Sequence, residues 1–241
     1  MRIAILSDIH GNLEAFQAVL DDLHTQDIDK IVSLGDLIDY GPDSELIIQE
    51  HIRLNISAIQ GNHENVLVRT GILKSFSSIA YESLKITRRH LSTRSMKYIR
   101  ALPLILIFEN IRFVHALPPD SVTRYIDQVP PHILGYVIES YPEPICFVGH
   151  THRLCIYEYT DKKVTFRRPS QTQNNLNYTS RYIINVGSVG QPRDRDKHAK
   201  YMIYDNRLNS LHLRLIDYNA QKTAQKILKL GYPKENAKRL I

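Results

Sequence analysis

Five short apolar runs in this chain stop in the same chemistry. RIAILS (2–7) is followed by Asp8-Ile9-His10, KIVSL (30–34) by Gly35-Asp36, and NISAIQ (55–60) by Gly61-Asn62-His63-Glu64. IRFV (111–114) runs into His115, and ICFV (145–148) into Gly149-His150-Thr151-His152. Each run is short, apolar and bounded by polar residues, which is the pattern of a buried strand. In open α/β sheets, ligands bind beyond the carboxyl ends of the strands, where loops distant in sequence converge. A fold that aligns these five ends therefore gathers aspartates, histidines and an amide at one place.

The remaining pattern fits such a fold. Asn12 is a helix cap for 13–24, where Leu13, Phe16, Val19, Leu20 and Leu23 share one face. SELIIQEHI (44–52) reads as a second helix, with Pro42, Asp43 and Ser44 as its start signal. Strand, helix, strand, helix, strand implies a parallel sheet with right-handed crossovers. Residues 64–101 have helical spacing; LILIF, Glu109-Asn110 and IRFV then read as a hairpin with a two-residue turn. Later runs at 154–159, 182–186, 201–205 and 211–216 read as strands. The polar stretch 170–180 reads as a loop, and a basic helix near 219–230 precedes a short tail. No repeat or linker interrupts the chain, so a single domain over 1–241 is expected.

Composition removes several classes. The 43% hydrophobic and 23% charged content of the 241 residues is that of an ordinary globular protein, which argues against global disorder. The longest apolar run, LPLILIF, stops at Phe108, well short of a membrane span, so no membrane partner is expected. The opening MRIAILSD meets Asp8 too soon for a signal peptide, which predicts a cytoplasmic protein. Cys146 and Cys155, the only cysteines, lack C-x-x-C spacing and argue against a disulfide framework or a thiolate zinc site. The formal charge of +6 allows an anionic partner, but Lys and Arg are diffuse apart from 87–100 and Arg167-Arg168, and the tyrosines are scattered. That distribution argues against a nucleic-acid groove, which needs clustered cations with stacking aromatics.

Taken singly, each strand-end motif has an ordinary reading as a turn or a buried hydrogen-bonding pair. Together, Asp8, Asp36, four histidines and one neutral amide offer six or seven donors. Mixed imidazole and carboxylate suit Mn, Fe, Zn, Ni or Co, and neither thiolate nor an all-oxygen calcium cage is on offer. Two divalent ions there would outweigh the two carboxylates, leaving a positive site that attracts phosphate and acidifies a bound water. The isolated His24, His51, His90, His132, His198 and His212 read as surface or helix-face residues.

The ordered set DIH (8–10), GDLIDYG (35–41), GNHE (61–64), VHA (114–116) and GHTH (149–152) resembles the calcineurin-like metallophosphoesterase superfamily. SDIHGN and INVGSVGQPRD (184–194) make the chain most similar to its small bacterial and archaeal phosphodiesterase-like branch, over about residues 1–205. The resemblance implies an α/β fold: a two-sheet β-sandwich flanked by helices, four layers deep, with the site at one edge. It assigns Asp8, His10 and His152 to one metal, Asn62, His115 and His150 to a second, and Asp36 to both. It makes His63 the group that assists the leaving alkoxide, and Glu64, where the family more often has Asp, the residue that orients His63. Asn12 is then either a substrate-phosphate contact or only a helix cap. Arg193 either meets substrate phosphate or forms an ion pair with Asp194 and Asp196. A tight turn over 187–190 is expected to pack beneath the site.

The function so implied is a metal-dependent phosphoric ester hydrolase, with two divalent ions (Mn, Fe, Zn or Ni) and a hydroxide between them as nucleophile. A phosphodiesterase acting on a small phosphodiester or nucleotide is the favoured reading. A phosphomonoesterase, a protein phosphatase or a dinucleoside polyphosphate hydrolase are the alternatives within the superfamily. A non-catalytic scaffold of the same fold is the alternative of another class; it should have lost ligands or His63, and all are present. A homo-oligomer is compatible on general grounds.

Overall fold

A computed structural model describes residues 1–69 and 76–241. The strands are β1 (Arg2–Leu6), β2 (Lys30–Ser33), β3 (Ser57–Ala58), β4 (Ile105–Phe108), β5 (Ile111–Val114), β6 (Ile145–Val148), β7 (Leu154–Thr160), β8 (Lys163–Arg167), β9 (Gln173–Asn175), β10 (Arg181–Val186), β11 (Ala199–Asp205) and β12 (Ser210–Ile216). They form two six-stranded sheets, ordered β3-β2-β1-β11-β12-β9 and β4-β5-β6-β10-β7-β8. The first three strands pair in parallel as expected, as do β5, β6 and β10, whereas β11 joins β1 antiparallel. Both sheets are thus mixed.

Alternation within one strand explains the layers. On β1, Ile3 and Ile5 face the second sheet and pack with Phe113, Phe147, Ile184 and Met202 in the middle of the sandwich. Ala4 and Leu6 face the other way, under α1 (Leu13–Leu23) and α2 (Ser44–Arg53), with Phe16, Val19, Ile47 and Ile48. On the far side, α6 (Pro131–Glu139) covers Val114, Cys146, Val148 and Ile183 with Leu134 and Ile138. A strand covered on both faces reads as a near-continuous apolar run, which is why IAIL and ICFV show no polar alternation; in IRFV the one exception, Arg112, is buried against Glu143 at 2.9 Å. Burying one Phe16-sized side chain stabilises by roughly 1.5–3 kcal/mol.

The helical middle resolves into α3 (Asn62–Val68), α4 (Ser78–His90) and α5 (Thr93–Ala101); 70–75 lie outside the described residues. Glu109 and Asn110 both have positive φ, the twist that a two-residue hairpin turn requires. The structure departs from or adds to the expected elements in five places. NISAIQ yields only the two-residue β3, and the polar 170–180 stretch contains β9, which pairs with β12 at a sheet edge. The 131–139 segment is a helix and 163–167 a strand. Beyond α7 (Ala220–Lys229), the tail holds α8 (Lys234–Lys238), which folds back with Tyr232 and Leu240 against Ile86. Among the described residues, no helix is long and apolar enough to cross a membrane.

Candidate metal centre

The carboxyl ends of β1, β2, β3, β5 and β6 deliver the expected side chains to one place. Asp8, His10, Asp36 and His152 lie with their donor atoms within 4.8 Å of one another, and Asp36, His115 and His150 form a second such group. Asn62 joins the second, its Oδ1 lying 3.1 Å from His115 Nε2. Two groups of donors thus share Asp36. All are buried: the most exposed, Asn62, is 8% accessible.

Backbone carbonyls fix the direction of each imidazole. Nδ1–H of His10 donates to Ile38 O (2.9 Å), that of His115 to Leu34 O (2.8 Å), and that of His152 to Gln191 O. His150 is reversed, with Nε2–H donating to Thr123 O at 3.1 Å. The nitrogen left over in every ring points into the cluster, and in the neutral ring it carries a lone pair. Those lone pairs meet other acceptors: His10 Nε2 faces His152 Nε2 at 3.3 Å, and His115 Nε2 faces His150 Nδ1 at 3.2 Å and Asp36 Oδ2 at 3.2 Å. Asp8 Oδ1 has no hydrogen-bond donor and lies 3.2 Å from His152 Nε2. Acceptors in mutual contact without a donor between them are what a cation satisfies, and the mix of imidazole and carboxylate fits a transition metal.

The electrostatics agree. Burial would raise the Asp8 and Asp36 carboxyls, but His152 holds Asp8, and His115 with His63 holds Asp36, below the usual carboxylate range. Burial would lower His115, yet the Asp36 carboxylate outweighs it and pushes the ring up to about 9. Burial, reinforced by His115, pushes His150 down to about 3 and keeps its lone pair free. The centre asks for positive charge while most of its rings refuse protons.

Tight packing of loops builds this geometry. Asp8, His10, Asp36, His150 and His152 all have φ between 48° and 65°, a left-handed backbone that non-glycine residues seldom adopt. Cross-strand bonds hold it there: Asp8 N–H donates to Gly35 O, His10 N–H to Asp36 O, and Gly190 N–H to Asp8 O. The 187–190 turn does pack beneath the site, where Ser188 Oγ donates to Asp8 O at 2.8 Å. Gly149 permits a close approach, since a Cβ there would stand 1.8 Å from Ser7 Oγ and 2.5 Å from Asp8 Oδ2.

His63 borders the cluster, with Nε2 4.0 Å from Asp36 Oδ2. Its orienting partner is Asp39, whose Oδ2 accepts from Nδ1 at 2.7 Å, and not the adjacent Glu64. This corrects the expected role of Glu64, which starts α3 pointing away from the ring. Its carboxylate instead accepts the N–H groups of Asp36 (2.8 Å), Leu37 (2.8 Å), Ile38 (3.2 Å) and Gly61 (2.8 Å). Burial and the Asp36 charge push Glu64 up to about 7, but four donors converge on its two oxygens and suit the ionised form. Asp39 stands in GDLIDYG, three residues after Asp36; its place in that loop was the available signal. Burial would lower His63, but the Asp36 and Asp39 carboxylates outweigh it and raise its pKa.

Asn12 is a cap and not a contact of the cavity. Its Oδ1 accepts from Ala15 N–H and Thr223 Oγ1, and its Nδ2 donates to Gly190 O. Arg193 does reach the cavity. The ion pair expected with its neighbours does not form, because Asp194 faces Lys200 (3.0 Å) and Arg168 (3.7 Å), and Asp196 faces His198 and Lys200. A cavity of about 320 Å³ opens over the cluster, lined by Asp36, Asn62, His63, His150 and His152, with Tyr40, Phe76 and Tyr125 as aromatic walls and Arg193 and Arg239 at its rim. Arg239, from the C-terminal tail, had no sequence motif to mark it.

Known proteins share this frame. The chain is 30% identical to a crystallised metallophosphoesterase from Sphaerobacter thermophilus, with TM-score 0.86 over 100% of this chain and 98% of that one. It is also 30% identical to an uncharacterized protein of Methanocaldococcus jannaschii, across 99% of this chain and 97% of the relative. A hypothetical protein from Pyrococcus horikoshii OT3 has the same fold at 18% identity, with TM-score 0.80 over 99% and 97% of the two chains. The family model described as the calcineurin-like phosphoesterase superfamily domain matches residues 1–207. That match spans every strand-end motif of the cluster, and the chain belongs to the calcineurin-like phosphoesterase superfamily.

Proposed function

We propose that this protein is a phosphodiesterase that hydrolyses a small phosphodiester or nucleotide using two divalent metal ions. Membership of the superfamily supports a hydrolase, and its members generally bind divalent metals. The observation that carries the reading is the double set of inward-facing acceptors joined at Asp36. Asp8, His10 and His152 would hold one ion, Asn62, His115 and His150 the other, and Asp36 would touch both. Such ions, when bound, supply Lewis acidity to the phosphoryl oxygens and acidify a water so that it attacks at neutral pH.

The chain's own residues do the rest. Asn62, His150 and His152 sit on the floor of the cavity, so an entering phosphate is placed against the cluster and away from the sandwich core. His63 holds a proton on Nδ1 for Asp39, which leaves Nε2 to give one to the departing oxygen. The raised pKa of His63 favours the protonated ring that this step needs. Arg193 at the rim meets the non-attacked side of the substrate. The cavity is open to solvent and of modest volume, which supports a small substrate over a protein loop.

The test removes metal with a chelator, restores Mn²⁺, Fe²⁺, Zn²⁺ or Ni²⁺ singly, and follows an aryl phosphodiester beside the matching monoester. Hydrolysis should return with at least one ion, favour the diester, and fall at least a hundredfold in Asp36→Asn. Activity that survives both chelation and Asp36→Asn would refute the reading, and a preference for the monoester would replace diester with monoester.

A further inference from the structure

We propose that Arg193 and the C-terminal Arg239 together form a second anion subsite beside the metal centre, selecting phosphoesters that carry a pendant phosphate. The inference rests on the phosphodiesterase reading above and narrows its substrate class. The two guanidiniums come from distant parts of the chain and converge on one neutral acceptor. Arg193 Nη2 donates to Gln191 Oε1 at 3.3 Å, and Arg239 Nη1 donates to the same oxygen at 3.2 Å. Arg193 Nε is buried without any partner. Neither side chain forms an ion pair with a carboxylate among the described residues, although Asp194 and Asp196 are close to Arg193 in sequence.

Two cations sharing one amide oxygen leave most of their donors unused. A guanidinium presents five N–H groups in a planar fork suited to phosphate oxygens. Gln191 also ties the pair to the centre, because its backbone carbonyl accepts from His152 Nδ1 and Arg193 N–H donates to His152 O. A simple diester brings a single negative charge, which the metal centre itself attracts. The rim cations call for a further anion on the same molecule, and a phosphate monoester group supplies two charges and three acceptor oxygens.

The tail is built to hold Arg239 in place. Asn236 Nδ2 donates to Tyr40 O and Ser83 Oγ at 3.2 Å each, and Lys197 Nζ donates to Arg239 O at 2.7 Å. Tyr40 in turn packs on His10 and His63, with ring centroids 4.6 and 4.8 Å away. The segment from α7 onward lies beyond the 1–207 family match, so this half of the subsite is a feature of the chain outside the common domain.

The experiment compares the p-nitrophenyl ester of thymidine 5′-phosphate with its 3′-phosphorylated counterpart, on metal-loaded full-length protein. The ratio of kcat/KM with and without the pendant phosphate should be roughly tenfold in the wild type, a modest figure because Arg239 is exposed to screening solvent. Arg239→Gln and Arg193→Gln should each lower that ratio, and the double variant should bring it near one. Lys238→Gln, an exposed charge at the end of α8 beside Arg239, should leave it unchanged. A wild-type ratio near one, or a ratio untouched by either arginine variant, overturns the subsite. Should neither ester be hydrolysed, the phosphodiesterase reading fails, and calorimetry still decides the subsite. Thymidine 3′,5′-bisphosphate must then bind more tightly than thymidine 5′-phosphate in the wild type, by a smaller factor in Arg239→Gln, and equally in the double variant; equal affinities in the wild type refute it.

Discussion

Glu64→Gln separates a backbone clamp from a catalytic orienter. The carboxylate of Glu64 accepts four N–H groups from the two loops that carry Asp36 and Asn62. A glutamine fits the same space but has one acceptor oxygen, so its NH₂ faces two N–H donors. Each buried donor left without an acceptor costs about 1–3 kcal/mol. Burial disfavours the native carboxylate, which offsets part of that loss, so a net destabilisation of about 2–4 kcal/mol is expected. That is a large share of the roughly 5–15 kcal/mol by which a domain is stable. The measurement is urea unfolding followed by circular dichroism at pH 8, above the value of about 7 to which burial and Asp36 push Glu64. The midpoint should fall clearly while the slope stays constant. A change under about 1 kcal/mol, together with a displaced pH–rate profile, would refute the clamp and restore Glu64 as the partner of His63.

Three other perturbations have distinct signatures. Asp39→Asn should lower kcat about a hundredfold for a diester with an alkyl leaving group and far less for p-nitrophenolate, which needs little protonation; equal losses on both would dismiss His63–Asp39 as the proton donor pair. Gly149→Ala should cost at least about 2 kcal/mol and weaken metal binding measured by calorimetry, because its Cβ would stand 1.8 Å from Ser7 Oγ and 2.5 Å from Asp8 Oδ2; full metal affinity would contradict it. His51 of α2 stacks on Phe16 of α1, donates from Nδ1 to Ile47 O and leaves Nε2 without a partner. Burial lowers its pKa from an ordinary 6.5 to about 4, so the unfolded chain binds a proton first, and stability present above pH 6.5 is lost as pH falls toward 4. The loss amounts to roughly 3 kcal/mol at most, and His51→Leu should flatten that part of the stability–pH curve; an identical slope in both proteins would disprove it.

Covered strands made the centre readable. Because β1, β5 and β6 are buried on both faces, their apolar runs end sharply, and the polar residue that follows marks the sheet edge where ligands gather. What could not be read depended on contacts rather than composition. Only Asn174 of β9 is buried, and Gln173–Asn175 is held by pairing with β12, so its sequence carries no strand pattern. Glu64 looked like a partner of His63 because it is adjacent, but the first turn of a helix aims neighbours in different directions. Arg239 is a lone cation near the chain's end, and only the folding back of α8 onto Tyr40 and Ser83 gives it a place at the cavity.

The fold, and not the donors themselves, must hold the centre in shape. With its rings neutral, the centre sets lone pairs and carboxylate oxygens against one another at 3.2–3.3 Å, and five of the residues that carry them adopt left-handed backbone. At about 1–2 kcal/mol per residue, that backbone alone costs on the order of 5–10 kcal/mol, comparable with the stability of a domain. Interactions that do not touch a substrate must offset it. Glu64 ties two loops through four N–H groups, Ser188 and Gly190 tie the β1 end to the 187–190 turn, and each histidine is tied to a backbone carbonyl. The donors are therefore positioned by the fold itself, so that under the proposed reading a cation would need little reorganisation to bind and the surrounding loops would be as decisive as the ligands.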